Sequence, residues 1–156
     1  HGMKVTHMKP HGALNNMAAE DEDYAMAIGR ALKTVDSNLI YVALSGSEME
    51  KAAERLNLPL SREGFCGRLY DDNGNLVSRA VAGSVIKDPQ AATEQVVRMV
   101  TEGEIISMSG KRVKRRVDSL CVHGDEPTAV ALAAKVREGL EAAGVKILPL
   151  TEIKLD

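Results

Sequence analysis

The sequence predicts an α/β fold in which parallel strands alternate with helices, arranged as a layered sheet or as a barrel. Two apolar runs, Leu39–Leu44 and Ser119–Val122, have the length of buried strands, and each is followed by a turn and an amphipathic segment. Near-continuous apolar runs are typical of parallel strands, which are covered on both faces by helices. Polar side chains follow these runs, at the edge where parallel α/β proteins bind ligands.

The composition is that of a globular protein. The chain has 156 residues, of which 44% are apolar and 27% are charged, and we therefore predict a single α/β domain over residues 1–156. The net charge of −2 and the 3% aromatic content give no support for nucleic-acid binding. No apolar run spans a bilayer and no signal-peptide pattern is present, so we expect a cytoplasmic protein without membrane contact.

The first half of the chain predicts strands that alternate with helices. Met3, Val5 and Met8 form an apolar strand that ends at the following proline, because proline donates no backbone hydrogen bond. Asn15 or Asn16 is the predicted N-cap of the first helix. The predicted elements here are helix 15–32, strand 39–44, helix 48–57 with Ser47 as N-cap, and strand 60–65.

The second half begins with a loop excursion from the sheet. Asn73-Gly74 is a strong signal for a hairpin turn, and Asp88 and Pro89 predict the start of a helix that ends at Gly103. Cys121 is expected in the core, with both cysteines reduced. Further predicted elements are hairpin 105–117, strand 119–122, helix 127–143 with Val130, Ala133, Ala134, Val136 and Leu140 inward, and strand 145–148.

A basic cluster lies in the predicted hairpin. It consists of Lys111, Arg112, Lys114, Arg115 and Arg116. We favour the interpretation that these charges solvate an edge strand and prevent its pairing with other chains. The alternative, a surface that binds phosphate or a partner protein, stays open on sequence grounds.

Two loops with a similar order of residues follow predicted strands and carry the candidate chemistry. The first is Lys9-Pro10-His11-Gly12 and the second is His123-Gly124-Asp125. Each places an imidazole and a glycine before a helix, whose unpaired first amides are suited to a phosphate. Histidine and aspartate can exchange protons or bind a metal. We predict that the two loops face one cleft, and the sequence leaves both chemistries open.

The positions in and around these loops also match a known family. They are Lys9-Pro10-His11-Gly12-Ala13-Leu14, Asn16, Glu63, Phe65, Arg68, Tyr70, Gly74, Leu76-Val77, Arg79, Gly83, Ile86, Cys121-Val122-His123-Gly124-Asp125 and Pro127. In this set the sequence resembles the LamB/YcsF family over nearly its whole length. Two positions depart from the family pattern, because Gly67 stands where aspartate is usual and Asn15 stands where tyrosine is usual.

The resemblance implies a distorted TIM-like (β/α) barrel of the glycoside hydrolase and deacetylase type. A full barrel needs about 250 residues, so the chain is expected to form a C-terminal portion of one. Family members carry an N-terminal section that is missing from this sequence. An incomplete barrel leaves strand edges open, and we therefore also expect a homo-oligomer.

The resemblance further implies the A subunit of the ATP-dependent 5-oxoprolinase, a hydrolase in which it works with the B and C subunits. This enzyme opens the lactam of 5-oxoproline to L-glutamate, and ATP, together with Mg²⁺, phosphorylates the lactam oxygen so that water can attack the ring carbon. Lys9 would offset the developing negative charge, His11 and Asp125 would move protons or position water, and His123 would support them.

The implied substrate-binding set is separate from these four catalytic residues. Arg68 would hold a carboxylate or phosphate through its planar donors. The other residues assigned to substrate binding are Asn16, Gly12 and Gly124. No residue is assigned as a metal ligand, and whether the chain itself binds a metal is left open.

Two other functions remain open at this point. A metal-dependent amide hydrolase or deacetylase-like enzyme would use His11, His123 and Asp125 as metal ligands. A non-catalytic binding protein within the complex is the other alternative, because the N-terminal section is missing and Gly67 replaces a carboxylate.

Overall fold

The computed structural model describes residues 2–125 and 127–155. They form two compact units, one of residues 1–63 with 149–156 and the other of residues 64–148. Parallel strands alternate with helices along the chain, which confirms the predicted α/β fold. The single domain predicted over residues 1–156 stays a prediction. Among the described residues, no helix has the length and apolar character needed to cross a membrane.

The first unit is built on three parallel strands. Its elements are β1 (His7–Met8), α1 (Ala13–Glu20), α2 (Glu22–Val35), β2 (Ile40–Leu44), α3 (Glu48–Leu56) and β3 (Leu60–Phe65), followed near the end of the chain by a 3₁₀ turn at Leu150–Glu152. Strand β2 lies between β1 and β3, and every one of its residues is buried. Tyr41, Met49 and Leu60 are fully buried and form the centre of this unit.

The second unit contains the last residues of β3 and five further elements. These are α4 (Pro89–Glu102), β4 (Glu104–Ile106), β5 (Arg112–Lys114), β6 (Ser119–Cys121) and α5 (Ala129–Ala142). β6 lies beside the end of β3, where the Cys66 amide donates to the Cys121 carbonyl at 2.9 Å. The core of the unit is the buried cluster of Cys66, Ala92, Val96, Val136 and Leu140.

Helix starts that carry a side-chain cap confirm the sequence predictions. Ser47 accepts a hydrogen bond from the Glu50 amide at the start of α3. Asp88 accepts from two amides at the start of α4, and Gly103 ends that helix in the left-handed region at φ 65°. Polar caps and C-terminal glycines satisfy backbone groups that a helix leaves unpaired, so they are visible in sequence.

The predicted turn at Asn73-Gly74 is also confirmed, although the strands around it reduce to isolated bridges. Gly74 has φ 85°, and the Asp71 carboxylate accepts hydrogen bonds from the amides of Asn73 and Asn75 at 2.8 and 2.9 Å. A single antiparallel bridge joins Tyr70 to Leu76 across the turn. The turn therefore belongs to a loop held by an aspartate, outside the named strands.

The single helix predicted over residues 15–32 is wrong, because the structure has two helices there. The chain becomes extended at Asp21 (φ −115°, ψ 116°), whose carboxylate accepts from the amides of Asp23 and Tyr24 and so caps α2. The predicted N-cap is also wrong, since Gly12 caps α1 and Asn15 lies buried within it. The acidic run thus marks the start of a second helix, where carboxylates oppose the positive helix end.

The strands predicted at two places are shorter or missing. β1 has only two residues, and Met3 and Val5 are 87% and 68% exposed.

Residues 145–148 form no strand in the described part of the chain. The Val145 amide donates to the Leu140 carbonyl at 2.9 Å and closes the end of α5, with Gly144 at φ 80°. This amide is thereby used as a helix cap and is not free for a strand ladder.

The buried face of α5 differs from the predicted one. Ala129, Val136 and Leu140 are buried and Leu132 is half-buried, whereas Val130 is 85% exposed. Ala133 and Ala134, also predicted inward, are exposed. An alanine-rich helix has small apolar residues all round, so periodicity alone does not select the face.

The core position predicted for Cys121 is likewise wrong, because this residue is only half-buried.

The basic cluster of the β4–β5 hairpin is largely engaged in contacts within the second unit, and its predicted role in solvating an edge strand stays a prediction. Arg112 pairs with Glu104 at 3.0 Å, and Arg116 pairs with Asp118 at 2.9 Å. The ammonium of Lys111 donates to the Asp72 carbonyl, and the guanidinium of Arg115 donates to the Asn73 carbonyl. These cations therefore anchor the hairpin and its neighbouring loop.

Candidate active site

An ion pair between Lys9 and Glu63 lies at the strand ends of the first unit. The Lys9 Nζ is 2.6 Å from Oε2 of Glu63, with side-chain exposures of 29% and 8%. Lys9 directly follows β1, and Glu63 stands opposite Leu44, the last residue of β2. Burial raises the pKa of Glu63, and the hydrogen bond and charge of Lys9 oppose that rise. A carboxyl group and an amine that share a desolvated contact are suited to holding or exchanging a proton.

Sequence reasoning assigned no role to Glu63. A signal was present, because an acidic residue in a strand that is otherwise largely buried needs a buried partner. The Glu63 backbone also helps to fix the strand, since its carbonyl accepts from the Ser45 amide at 3.1 Å. We therefore add Glu63 to the candidate residues of the first loop.

The remaining residues of the first loop lie where β1 turns into α1. Gly12 adopts φ 62° and ψ −134°, a conformation that favours glycine, and acts as N-cap without a side-chain hydrogen bond. His11 is exposed beside it. Asn16 is exposed on α1, and its amide donates to the Gly12 carbonyl at 3.3 Å. His11 is thus accessible to a ligand, and Gly12 sets the entry of the helix.

The second loop holds Asp125 between two partners in the second unit. Oδ2 of Asp125 accepts from Nη1 of Arg79 at 3.0 Å, and Oδ1 lies 3.7 Å from Nδ1 of His123. The hydrogen bond from Arg79 is the main cause that keeps the pKa of Asp125 below its ordinary value. Asp125 is therefore ionised at neutral pH and can orient a neighbouring proton donor.

The surroundings of His123 fix the plane of its ring. The imidazole packs against the Phe65 ring with the centroids 5.9 Å apart and the planes tilted by 30°.

Gly124, between the histidine and the aspartate, has no left-handed φ, and a Cβ there would meet no atom within 4 Å. The turn after His123 therefore does not require glycine, in contrast to the turn at Gly12.

Arg68 lies behind the second loop and is only 8% exposed. Its Nη2 donates to the Val77 carbonyl at 2.6 Å, and its own carbonyl accepts from Nε2 of Gln95 at 2.8 Å. Its Nε has no hydrogen-bond partner in the part of the chain that the structure describes. Burial lowers the pKa of the guanidinium, and the nearby charge of Arg79 lowers it further.

A small cavity of about 40 Å³, which we call the Arg68 cavity, opens beside this guanidinium in the second unit. Its walls combine cationic groups with the apolar side chains of Ile86 and Leu132. Gly67 lines the cavity and has φ 72°. The position at which family members usually carry aspartate therefore lies in the cavity wall. The polar and charged residues around the cavity are Arg68, Arg79, Lys87, His123 and Thr128.

The predicted site residues divide between the two units. Lys9, His11, Gly12 and Asn16 lie in the first unit, and Arg68, His123, Gly124 and Asp125 lie in the second. Within each unit the structure brings charged groups together, at the Lys9–Glu63 pair and at the Arg68 cavity with Asp125. The cleft shared by the two loops stays a prediction.

A metal-binding cluster is not formed by the residues that the structure describes. Residues 2–125 and 127–155 contain no group of three or more His, Cys, Asp or Glu side chains placed to hold an ion. His123 and Asp125 supply only two candidate ligands in the second unit. The metal-dependent alternative therefore gains no support from the described side chains.

Comparison with known proteins identifies the family. The model of the LamB/YcsF family matches residues 1–155. The chain belongs to the LamB/YcsF family. Among its relatives, the 5-oxoprolinase A subunit of Rhodopseudomonas palustris (strain BisB18) is 49% identical over 148 residues. A 5-oxoprolinase A subunit of Bradyrhizobium diazoefficiens is 47% identical over 148 residues.

The LamB/YcsF chain spans only part of these relatives. Each alignment covers 95% of this chain and 58% of the relative. A solved structure, the lactam utilization protein from Thermus thermophilus, superimposes with a TM-score of 0.84 at 40% identity, covering 94% of this chain and 58% of that one. The predicted fold class is thereby confirmed, as a partial TIM-like α/β barrel.

Proposed function

We propose that this chain acts within an ATP-dependent 5-oxoprolinase, a cytoplasmic enzyme that opens the lactam ring of 5-oxoproline to L-glutamate. The observation that carries the proposal is the 49% identity, over 95% of the chain, to a protein named as the A subunit of 5-oxoprolinase. That designation implies further subunits, which we take to be B and C. Ionisable groups at the strand ends are the site features that such a reaction needs.

Opening a lactam requires activation because amide resonance stabilises the ring. ATP, bound with Mg²⁺, supplies the phosphoryl group that activates the lactam oxygen. The Arg68 cavity fits one phosphoryl group in size and charge, and the cations that would hold it are Arg68 and Arg79. At about 40 Å³ the cavity is too small for a nucleoside. The described residues therefore support contacts with phosphate oxygens and do not define a base pocket.

In the first unit, the Lys9 ammonium stabilises the negative charge of the phosphorylated lactam oxygen while water attacks the ring carbon. Glu63 positions that ammonium through the 2.6 Å contact and restricts its motion. His11, exposed at the start of the same loop, exchanges a proton with water or substrate. Gly12 and Asn16 complete this side of the site through their position at the start of α1.

In the second unit, ionised Asp125 orients His123, which delivers a proton to the ring nitrogen as the C–N bond breaks. Arg68 holds a carboxylate or phosphoryl oxygen through its planar donors. Gly124 leaves open space beside the histidine for the substrate, since nothing lies within 4 Å of its Cβ position. Water adds to the phosphorylated carbonyl carbon, and the C–N bond breaks so that the ring nitrogen becomes the free amine. A second water hydrolyses the acyl phosphate that remains, giving L-glutamate and inorganic phosphate.

The proposal is tested by assembling the chain with its partner subunits and measuring L-glutamate and inorganic phosphate released from 5-oxoproline and ATP. Asp125→Asn and His11→Asn are expected to lower kcat by about 100-fold, the usual contribution of an acid–base group. Arg137→Gln is the matched control, because Arg137 forms an exposed pair with Glu141 on α5. Absence of glutamate formation by the assembled wild type would contradict the proposal and favour a non-catalytic role. Normal turnover by both variants would contradict the assigned roles.

A further inference from the structure

We propose that the Arg68 cavity is a built anion site that takes a single carboxylate or phosphoryl group, with Arg79 and Lys87 as further anion-binding residues. Three cationic side chains line this cavity of about 40 Å³. The inference rests on the proposed function for the identity of the ligand, since 5-oxoproline carries one carboxylate and ATP carries phosphoryl groups. Anion binding itself is a property of this chain and is measured without turnover.

The state of Arg68 is the first argument. More than nine-tenths of this residue is buried, yet its Nε has no hydrogen-bond partner among the described residues. A buried charged donor that lacks an acceptor carries an uncompensated desolvation cost. The Val77 carbonyl holds Nη2 and fixes the orientation of the guanidinium plane. An oxyanion in the cavity would place a negative charge beside this buried cation and offset that cost.

The charge balance of the cavity is the second argument. Arg79 and Lys87 add two cations to the same wall, and no aspartate or glutamate lines the cavity among residues 2–125 and 127–155. Arg68 and Arg79 repel each other, and that repulsion contributes to the lowered pKa of Arg68. An anion between them would attract both guanidinium groups and so offset this repulsion. Asp125, whose side chain is 59% exposed, contacts Arg79 and His123 but does not itself line the cavity.

The size of the cavity selects the ligand group. One water molecule needs roughly 10–15 Å³ of such space, so about 40 Å³ corresponds to three. A carboxylate or a terminal phosphoryl group has this bulk, whereas a sugar or a base does not. The apolar side chains of Ile86 and Leu132 also line the cavity and offer no polar atoms to bind water.

The test is an NMR titration of the isotopically labelled chain with sodium phosphate and, separately, sodium acetate. Sodium chloride at equal ionic strength is the reference for non-specific screening. We expect a saturable shift of the Arg68 Nε–H resonance with phosphate, with acetate or with both. The two arms show whether the group is a phosphoryl or a carboxylate group. Chloride at matched ionic strength is expected to leave this resonance in place.

Three variants give the test its specificity. Arg79→Gln is expected to weaken binding about tenfold, because a charge-assisted contact is lost. Asp125→Asn is expected to tighten binding, because a neighbouring negative charge is removed. Arg98→Gln is the matched control, since Arg98 forms an exposed contact with Glu102 away from the cavity. All variants are compared by their backbone amide spectra, so that loss of folding is recognised.

Two results would overturn the inference. One is the lack of a saturable Arg68 shift with both anions, and the other is unchanged affinity in the folded Arg79→Gln variant. In either case, glutamate formation by the assembled enzyme still tests the proposed function independently. Conversely, anion binding by a chain whose assembled form makes no glutamate would support the site and contradict the proposed function.

Discussion

The Lys9 ammonium lies 2.6 Å from the Glu63 carboxylate and so joins the end of β1 to β3, at the position where Glu63 stands opposite Leu44, the last residue of β2. The carboxylate is almost fully buried and the ammonium is about one-third exposed. Replacing a buried charge partner leaves an uncompensated charge, whereas the intact pair holds both groups at the strand ends. The pair therefore connects the fold of the first unit to its chemistry.

The first prediction concerns the pH dependence of stability. Burial raises the pKa of Glu63 above its ordinary value of 4.5, so the folded chain binds the proton more tightly than the unfolded chain. The free energy of unfolding that Glu63 contributes is therefore fully present below pH 4.5 and is lost as the pH rises through the raised pKa. Urea unfolding of the wild type between pH 4 and pH 7 should show this decline, which Glu63→Gln should reduce.

Glu48→Gln is the matched control for that experiment. Glu48 pairs with Lys51 on the surface of α3, and its substitution should leave the pH dependence of the wild type intact. An identical pH slope in wild type and Glu63→Gln would show that Glu63 does not titrate with folding.

The second prediction concerns Tyr41 in the middle of β2. Its side chain is fully buried, and its hydroxyl has no hydrogen-bond partner among the described residues. Burial accordingly raises the pKa of the phenol. Tyr41→Phe should increase the free energy of unfolding by about 1 kcal/mol, because an unpaired buried hydroxyl is removed with little change of shape. Chemical denaturation measures the change, and a loss of more than about 1 kcal/mol would indicate a hydroxyl partner.

The third prediction concerns the contact of α4 with α5. A Cβ at Gly139 would meet the Thr93 methyl group at less than contact distance. Alanine usually stabilises a helix interior by about 1 kcal/mol relative to glycine, but here the clash should dominate and destabilise the chain by about 1–3 kcal/mol. Thermal unfolding of Gly139→Ala tests this. Gly124→Ala, which meets no atom within 4 Å, should change stability little, and equal effects of both substitutions would contradict the packing argument.

The fourth prediction concerns the reactivity of Cys66. Burial, with a contribution from Cys121, raises the pKa of the Cys66 thiol to about 11. Its thiolate fraction at pH 7 is therefore small, and a thiol reagent should modify the folded Cys121→Ser variant only at the rate of unfolding. Mass spectrometry after timed exposure to a maleimide gives that rate. Rapid modification of the folded variant would contradict the buried placement of Cys66.

The elements that sequence alone predicted well are those with local signals. Strand β3 was predicted with its observed bounds, and Ser47, Asp88 and Gly103 cap helices as expected, because these residues satisfy backbone groups next to them in the chain. The break at Asp21 was missed although its capping signal is also local, since the apolar stripe continues from α1 into α2.

The features that sequence did not predict depend on distant partners. The buried face of α5 is chosen by the core around Val96, and an alanine-rich helix offers no local preference. The roles of Glu63 and Arg79 follow from contacts with residues 54 and 46 positions away, Lys9 and Asp125. The ion-pair partners of the candidate site residues therefore required the structure, and the site assignments themselves stay predictions.

The most direct test of the whole account is the rate of L-glutamate formation from 5-oxoproline and ATP by the assembled enzyme carrying Lys9→Gln. Lys51→Gln, on the surface of the same unit, serves as the control. We expect Lys9→Gln to lower kcat by about 100-fold and Lys51→Gln to retain the wild-type rate, because only Lys9 stabilises the charge of the phosphorylated lactam oxygen. A wild-type kcat for Lys9→Gln would contradict this role of Lys9.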